Sequence, residues 1–156
     1  MQYYYMCFTN LKVANILQKQ PYKIAGFSFR SHSSDSNGHY FYRNKVHEPL
    51  YSMILTKAAF LHKEYMRKFS ETLGPEILNM IDSFMNCEDI AMNVVISDHC
   101  KCAAAMRIDP RLPLEDFGGK SGLHKRHKHT TQRDECLNRL VKKYHYMPLQ
   151  YTSCRY

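Results

Sequence analysis

The chain has 156 residues, 22 Lys and Arg against 14 Asp and Glu, and a formal net charge of +8. Its 44% hydrophobic and 13% aromatic content excludes a disordered polymer, and a chain of this length buries roughly 70% of its unfolded surface, enough for one core. The positive balance points to an anionic partner, whether nucleic acid, acidic polysaccharide, nucleotide-sugar or membrane surface, and no apolar run approaches the roughly 18 to 20 residues of a membrane helix.

In chain order, Met1 to Phe8 is aromatic rather than basic and then apolar. It reads as no signal peptide, as expected of a chain that begins inside a larger protein. Phe8, Leu11, Ala14, Ile16 and Leu17 share a helix face, and Pro21 ends that segment. Ile24 to Phe29 alternates and carries aromatics, which predicts a strand. Ser31 to Gly38 is a turn-rich loop, and His39 to Tyr42 a short strand. Leu50 to Thr56 reads as a buried strand. From Ala58 to Leu73 the spacing of Phe60, Leu61, Tyr65, Met66 and Phe69 is helical. Gly74 and Pro75 break that helix, and Pro75 suits the first turn of the next, whose inner face is Ile77, Leu78, Ile81 and Phe84. Asn86 is expected to cap a further helix, with Asp89 three residues on and Ile90, Ala91, Val94 and Val95 as its apolar stripe. Ala103 to Gly122 reads as a linker. A last helix from about Thr130 to Tyr144 buries Cys136, Leu137, Leu140, Val141 and Tyr144, and Tyr146 to Thr152 returns as a strand. The alternation of strands and helices predicts an α/β fold.

Asn86-Cys87-Glu88-Asp89 places two adjacent carboxylates in the first turn of a helix, where the dipole favours negative charge. On local grounds this is a well-capped helix. Arg133 and Cys136, three apart, share a face of the last helix, and Arg133 lies in its first turn. If the acidic pair and the arginine come together across a small gap, they suit a ligand with a diphosphate and a sugar, because a planar guanidinium grips phosphate oxygens at two points. A plain Asp89–Arg133 ion pair is the alternative, and the residues leave both open. Six cysteines, Cys7, Cys87, Cys100, Cys102, Cys136 and Cys154, read on totals alone as thiols or cystines.

Two other patterns compete. The basic run from His124 to His129 suits a nucleic-acid patch or, equally, a solvated loop at the mouth of a site for an acidic polysaccharide; no nucleic acid is expected. His99, Cys100 and Cys102 with His124, His127 or His129 could form a zinc site, but the Cys-x-Cys spacing is shorter than zinc motifs use, and no metal ligand is assigned.

The ordered blocks from about Ile24 to Tyr151 resemble glycosyltransferase family 64, the exostosin and exostosin-like enzymes. Asn86 to Asn93 (NCEDIAMN) is similar to a family signature. Tyr51 to Thr56 with Ala58-Ala59-Phe60, Gly26-Phe27 with Arg30-Ser31-His32, and Arg133 and Cys136 followed by Asn138, Val141, Tyr144 and Tyr146 to Leu149 resemble further family segments. The resemblance implies the C-terminal part of a nucleotide-diphospho-sugar transferase fold of the GT-A type, over residues 24–152, with a lead-in at 1–23 and a tail at 153–156. It implies retaining transfer of an N-acetylhexosamine from a UDP-sugar to an acidic, heparan sulfate-like glycosaminoglycan. Asp89 takes the position of the catalytic carboxylate. Glu88, Asn86 and Arg133 take substrate-binding positions, Arg133 on the diphosphate, and Cys87 and Cys136 match a family disulfide. Cys7, Cys100, Cys102 and Cys154 are expected to form no comparable pair. An endoplasmic reticulum or Golgi location through an upstream anchor, and assembly with itself or with other exostosin-type enzymes, are likewise implied.

The chain departs from the family pattern in places. The family's manganese site is an Asp-x-Asp motif upstream of the matched region, and no Asp-x-Asp occurs in these 156 residues. Lys57 stands where a small residue is usual, Cys100 to Ile108 replaces a proline-rich stretch, and His124 stands where some members carry an aromatic residue near the acceptor. These departures suggest a second reading, a truncated or inactive fragment that keeps the acceptor-side half as a binding module.

Overall fold

The computed structural model describes residues 15, 17–46, 48–109 and 128–156. The described residues form a mixed α/β structure of two small sheets and three long helices, in agreement with the predicted class. Residues 17–19 are helical ahead of Pro21, and Leu17 is buried with Ala25, Met106 and Ile108. Phe8, Leu11, Ala14 and Ile16 lie outside the described residues.

The first sheet is built on β1 (Ile24–Gly26), which pairs antiparallel with β5 (Ala59–Phe60) and parallel with β6 (Ala105–Arg107). The strand β6 corrects the reading of 103–122 as a linker. Ala104, Ala105, Met106 and Ile108 are all buried, but three consecutive alanines carry little strand signal, so the segment looks like spacer until β1 is seen to need a partner. Gly26 is required here: a Cβ at this position would lie 2.5 Å from Ile54 Cγ2 and 2.7 Å from the Ala58 carbonyl oxygen.

The second sheet has β2 (Phe29–Ser34) at its centre, between β3 (Tyr40–Arg43) and β4 (Met53–Ile54), all antiparallel. Ser31 to Ser34 therefore belongs to a strand and not to a loop. Serines lower the apparent strand propensity, but pairing with the aromatic β3 and burial of Ser31 and His32 outweigh it. The turn that remains, Asp35 to His39, is held by Asp35 Oδ1, which accepts from the amides of Asn37 and His39. The single strand expected from Ile24 to Phe29 is divided between the two sheets at Phe27 and Ser28. Of the strand expected over 50–56 only Met53–Ile54 is regular; Thr56–Ala58 is a 3-10 turn and Leu50 is exposed.

Helix α1 (Glu64–Phe84) begins later than its periodicity suggested, because Ala59 and Phe60 are taken by β5. Its backbone is non-helical at Gly74 (φ 72, ψ 165), followed by Pro75, the break the sequence forecast. Met66 faces solvent. Helix α2 (Glu88–Cys100) is buried nearly all round, from Asp89 to Ser97, and occupies the centre of the main core. Helix α3 (His129–Tyr144) buries Arg133, Cys136, Leu137 and Leu140, while Val141 and Tyr144 are only partly covered.

Side chains complete what the short strands leave open. Asn93, buried in α2, donates from Nδ2 to the Ile54 carbonyl at 2.7 Å and accepts at Oδ1 from the Ile54 amide at 3.0 Å, acting as a strand neighbour for β4. Asn138 and Asp134 of α3 do the same for the outer edge of β3: Asn138 bonds both the amide and the carbonyl of Tyr40, and Asp134 accepts from the Tyr42 amide. A free strand edge invites unwanted pairing, and here a helix covers it. The end of the chain, expected as a strand over 146–152, is irregular and joins the sheets by single bridges, Tyr51 with Thr152 and Arg107 with Arg155.

Candidate active site

The site is assembled where α2 and α3 begin. Between α1 and α2 the chain turns through two left-handed residues, Met85 (φ 48) and Cys87 (φ 84), a conformation that costs a non-glycine residue free energy. Covalent and polar ties hold it. Cys87 is disulfide-bonded to Cys136 of α3, with a Cα–Cα separation of 6.3 Å, and its amide donates to Asn86 Oδ1 at 2.9 Å. This is the pairing that the family resemblance implied. Asn86 is not the helix cap it was expected to be. Cys87 occupies that position, and Asn86 is buried with Nδ2 donating to the His129 carbonyl at 3.1 Å, which fastens the start of α3 to the α1–α2 corner.

That corner fixes Asp89 and Arg133 against each other. Asp89, in the first turn of α2, accepts at Oδ1 from the Ile90 amide at 2.8 Å and at Oδ2 from Arg133 Nη2 at 2.9 Å. Arg133 opens the second turn of α3, one residue deeper than expected, because that helix starts at His129 rather than at Thr130. The expected gap between the two is closed by direct contact, and both side chains are almost wholly buried. Glu88, next to Asp89, is exposed.

The guanidinium of Arg133 is far from saturated. Its Cζ lies 4.6 Å from the centre of the Tyr42 ring, and its Nε and Nη1 are buried with no hydrogen-bond partner. Burial opposes its charge most strongly, but the facing Asp89 carboxylate, together with Tyr42 and Glu88, outweighs that effect and holds its pKa above the usual arginine value. Tyr42 is held above the ordinary tyrosine range, chiefly by burial. Two buried donors with nothing to bond cost roughly 1 to 3 kcal/mol each, so the arrangement is ready for an oxyanion, which would satisfy them.

Among the described residues no group of three or more His, Cys, Asp or Glu is placed to hold a metal ion. Asp89 is committed to Arg133 and Ile90, so this site does not fit a divalent cation. His124 and His127 lie outside the described residues. Cys100 and Cys102 are bonded to each other, with Cα atoms 5.1 Å apart. No pair comparable to Cys87–Cys136 was expected among the remaining cysteines; this bond was not foreseen, and left-handed Lys101 (φ 52) makes it by folding the end of α2 back and bringing the two together. Cys154 is a free thiol, and Cys7 lies outside the described residues.

Sequence reasoning named Asp89, Arg133 and the cystine, which the structure brings together at this corner, but gave no role to Tyr42 or Asp134 and no structural role to Asn93, whose partners lie in segments far apart in the chain. A profile of the glycosyl transferase family 64 domain matches residues 8–156. The chain belongs to glycosyl transferase family 64. It is 34% identical over 150 residues to Exostosin-like 2 of Homo sapiens, an alignment that covers 89% of this chain and 45% of that protein. It is 33% identical over 144 residues to Exostosin-1 of Mus musculus, covering 90% of this chain and 19% of the other. It is also 31% identical over 156 residues to Glycosylinositol phosphorylceramide mannosyl transferase 1 of Arabidopsis thaliana, covering 96% and 46%. The chain thus spans less than half the length of these curated relatives. By family this is an exostosin-type glycosyltransferase domain, and no helix among the described residues is long and apolar enough to cross a membrane.

Proposed function

We propose that this domain takes part in retaining transfer of an N-acetylhexosamine from a UDP-sugar to an acidic, uronic acid-terminated glycosaminoglycan of the heparan sulfate type, on a GT-A type fold. The observation that carries this reading is Arg133, tied to Asp89 through Nη2 while Nε and Nη1 have no partner. In the reaction the bond between the anomeric carbon and the diphosphate oxygen breaks, and its electron pair leaves with UDP. The acceptor hydroxyl oxygen bonds to the same face of the sugar and gives its proton to the departing phosphate oxygen. Arg133 stabilises the charge that gathers on the diphosphate, Asp89 lies near the anomeric centre and stabilises the positive charge there, and Glu88 and Asn86 bind the donor sugar. The buried Asn86 would do so by positioning the corner, since both of its polar atoms are engaged by backbone.

Manganese enters this reading as a cofactor held by residues outside this site. The proposed setting is the lumen of the endoplasmic reticulum or Golgi, with assembly of exostosin-type chains. A mannosyl transferase among the relatives makes the transferred sugar the point to test. With an Asp-x-Asp-bearing segment of a relative joined upstream, incubation with labelled UDP-N-acetylhexosamine and a glucuronate-terminated oligosaccharide should label the oligosaccharide, whereas labelling from a mannosyl donor alone would contradict the assignment. Binding of the oligosaccharide without labelling would favour a second reading, a module that binds the acceptor without transferring sugar.

A further inference from the structure

Cys100 and Cys102 form a second cystine, at the far end of α2 from the candidate active site. At 1.5 Å per residue, Cys100 lies about 16 Å along the helix from Asp89, so this bond takes no part in the corner around Arg133. Nor is it placed to stabilise the fold. The stabilisation that a cystine gives by constraining the unfolded chain grows with the loop it closes. Cys87 and Cys136 are 49 apart in sequence, Cys100 and Cys102 only 2. The first pair is fully buried, whereas both cysteines of the second are only half-buried. Exposed cystines are the labile ones, open to attack by a thiolate.

Cys100 also lines a cleft of about 420 Å³, together with Tyr22, His62, Tyr65, Lys68 and His99. That volume is within the range of small-molecule sites. The Tyr65 and His99 rings meet edge to face at 5.8 Å and form one wall. The cleft's one acid, Glu64, is bonded to Arg67 at 2.9 Å, and among the described residues no carboxylate lies within ion-pair distance of Lys68. An unmatched ammonium and two imidazoles therefore stand beside a disulfide. Lys101, exposed between the two cysteines, adds a second ammonium, bonded to Asp98 at 2.5 Å and to the Tyr146 hydroxyl at 2.8 Å. A cation at that place favours a thiolate as leaving group.

We propose that Cys100–Cys102 is a thiol–disulfide exchange site, and that the cleft beside it takes a small acidic thiol of tripeptide size, whose carboxylate pairs with Lys68. The thiolate attacks Cys100 Sγ, on the residue that lines the cleft. A new sulfur–sulfur bond forms as the Cys100–Cys102 bond breaks, and the electron pair of the broken bond leaves on Cys102 Sγ. That sulfur takes up the proton that the attacking thiol gave to water. A second molecule of the thiol then attacks the sulfur of the first, leaves with it as a symmetrical disulfide, and returns Cys100 as a thiol. The cystine gains two electrons and two protons, and two small thiols are oxidised to one disulfide.

The test treats the folded 156-residue chain with reduced glutathione, an acidic tripeptide thiol, or with mercaptoethanol, an uncharged one. Exchange is quenched with acid and the sulfurs are assigned by peptide mapping, in which cleavage after Lys101 puts Cys100 and Cys102 on separate peptides. Cys100–Cys102 should open while Cys87–Cys136 stays closed, and the glutathione mixed disulfide should be on Cys100. Per thiolate, glutathione should react severalfold faster than mercaptoethanol, the effect of one partly screened ion pair. Lys68→Gln, a change at a half-buried side chain, should erase that preference. Opening of Cys87–Cys136 first, or a mixed disulfide on Cys102 in place of Cys100, overturns the exchange site. Equal rates for the two thiols in the wild-type chain, or a preference that survives Lys68→Gln, overturn the part assigned to the cleft.

Discussion

Arg133 gives Nη2 to Asp89 at 2.9 Å and keeps Nε and Nη1 buried without a partner. A pair that served only to neutralise two buried charges would cost less if those donors were satisfied or absent. The pairing does not use the arginine fully, and that is the feature a phosphate ligand would explain.

Substitutions at this pair should separate rate from stability. Asp89→Asn is nearly isosteric and keeps an acceptor for the Ile90 amide. Arg133→Lys keeps the charge but not the planar fork. With an Asp-x-Asp-bearing segment of a relative joined upstream, both variants should lose sugar transfer by about a hundredfold or more, in line with loss of preorganised charge stabilisation. Their melting temperatures should fall by only a few degrees. Large melting shifts with unchanged turnover per folded molecule would mark the pair as structural.

The cystine should matter most for stability. Cys87 and Cys136 are 49 apart in sequence, and closing a loop of about 50 residues contributes about 4 kcal/mol in the chain-entropy estimate. Cys136→Ser should lower the unfolding free energy by about that amount in urea titrations, and wild-type protein under reducing conditions should behave alike. A loss below about 1 kcal/mol would show that the αL turn at Cys87 holds without its covalent tie.

Asn93 should be nearly as costly to replace. Asn93→Leu keeps the volume but strips the Ile54 amide and carbonyl of their partner, as well as a bond to the Asp89 carbonyl at 2.7 Å. Buried backbone groups left unpaired predict a loss of about 3 kcal/mol, read from the same titrations. Because the Asp89 carbonyl is one of the partners, transfer should fall as well.

Much of this corner was legible before any coordinates. The acidic pair beside a cysteine, and an arginine three residues before another cysteine, are local patterns, and helices with strong periodicity such as α2 and α3 announce themselves. Parts held by distant partners were not legible. Ala105–Arg107 becomes a strand only because β1 lies beside it, and Ser31–Ser34 only because Tyr40–Arg43 does. Tyr42 could not be assigned to the site, since its position follows from hairpin register rather than from any motif. Asn86 was misread as a cap because nothing local shows that a cystine pulls the next residue into the left-handed region.

His32 provides a pH test of the hairpin face. It is buried, stacks on Tyr151 at 4.9 Å, and pairs Nδ1 with Ser52 Oγ at 2.9 Å. Burial lowers its pKa from 6.5 to about 4. The folded state therefore keeps His32 neutral while the unfolded chain takes up a proton. This contribution to stability is fully present above pH 6.5 and is lost as pH falls toward 4, by about 3 kcal/mol in all. Urea titrations at pH 7 and pH 4.5 should show the drop, and His32→Gln should flatten it. An equal pH slope in both proteins would place the loss elsewhere.

Donor binding by these 156 residues alone should be weak and indifferent to manganese. No Asp-x-Asp occurs in the sequence, and no metal-binding cluster occurs among the described residues. Calorimetry with a UDP-sugar, with and without manganese, checks this. Tight, manganese-dependent binding would mean that the metal site has been misplaced.

The central claim, that the unpaired nitrogens of Arg133 receive an oxyanion, is open to one direct measurement that tolerates weak binding. In a chain labelled with ¹⁵N arginine, the Arg133 Nε–H resonance, assigned by its loss in Arg133→Lys, is followed as UDP is added. The account predicts a progressive shift of that resonance together with slower exchange of its proton with solvent. A resonance that stays in place while other signals report UDP binding would contradict it.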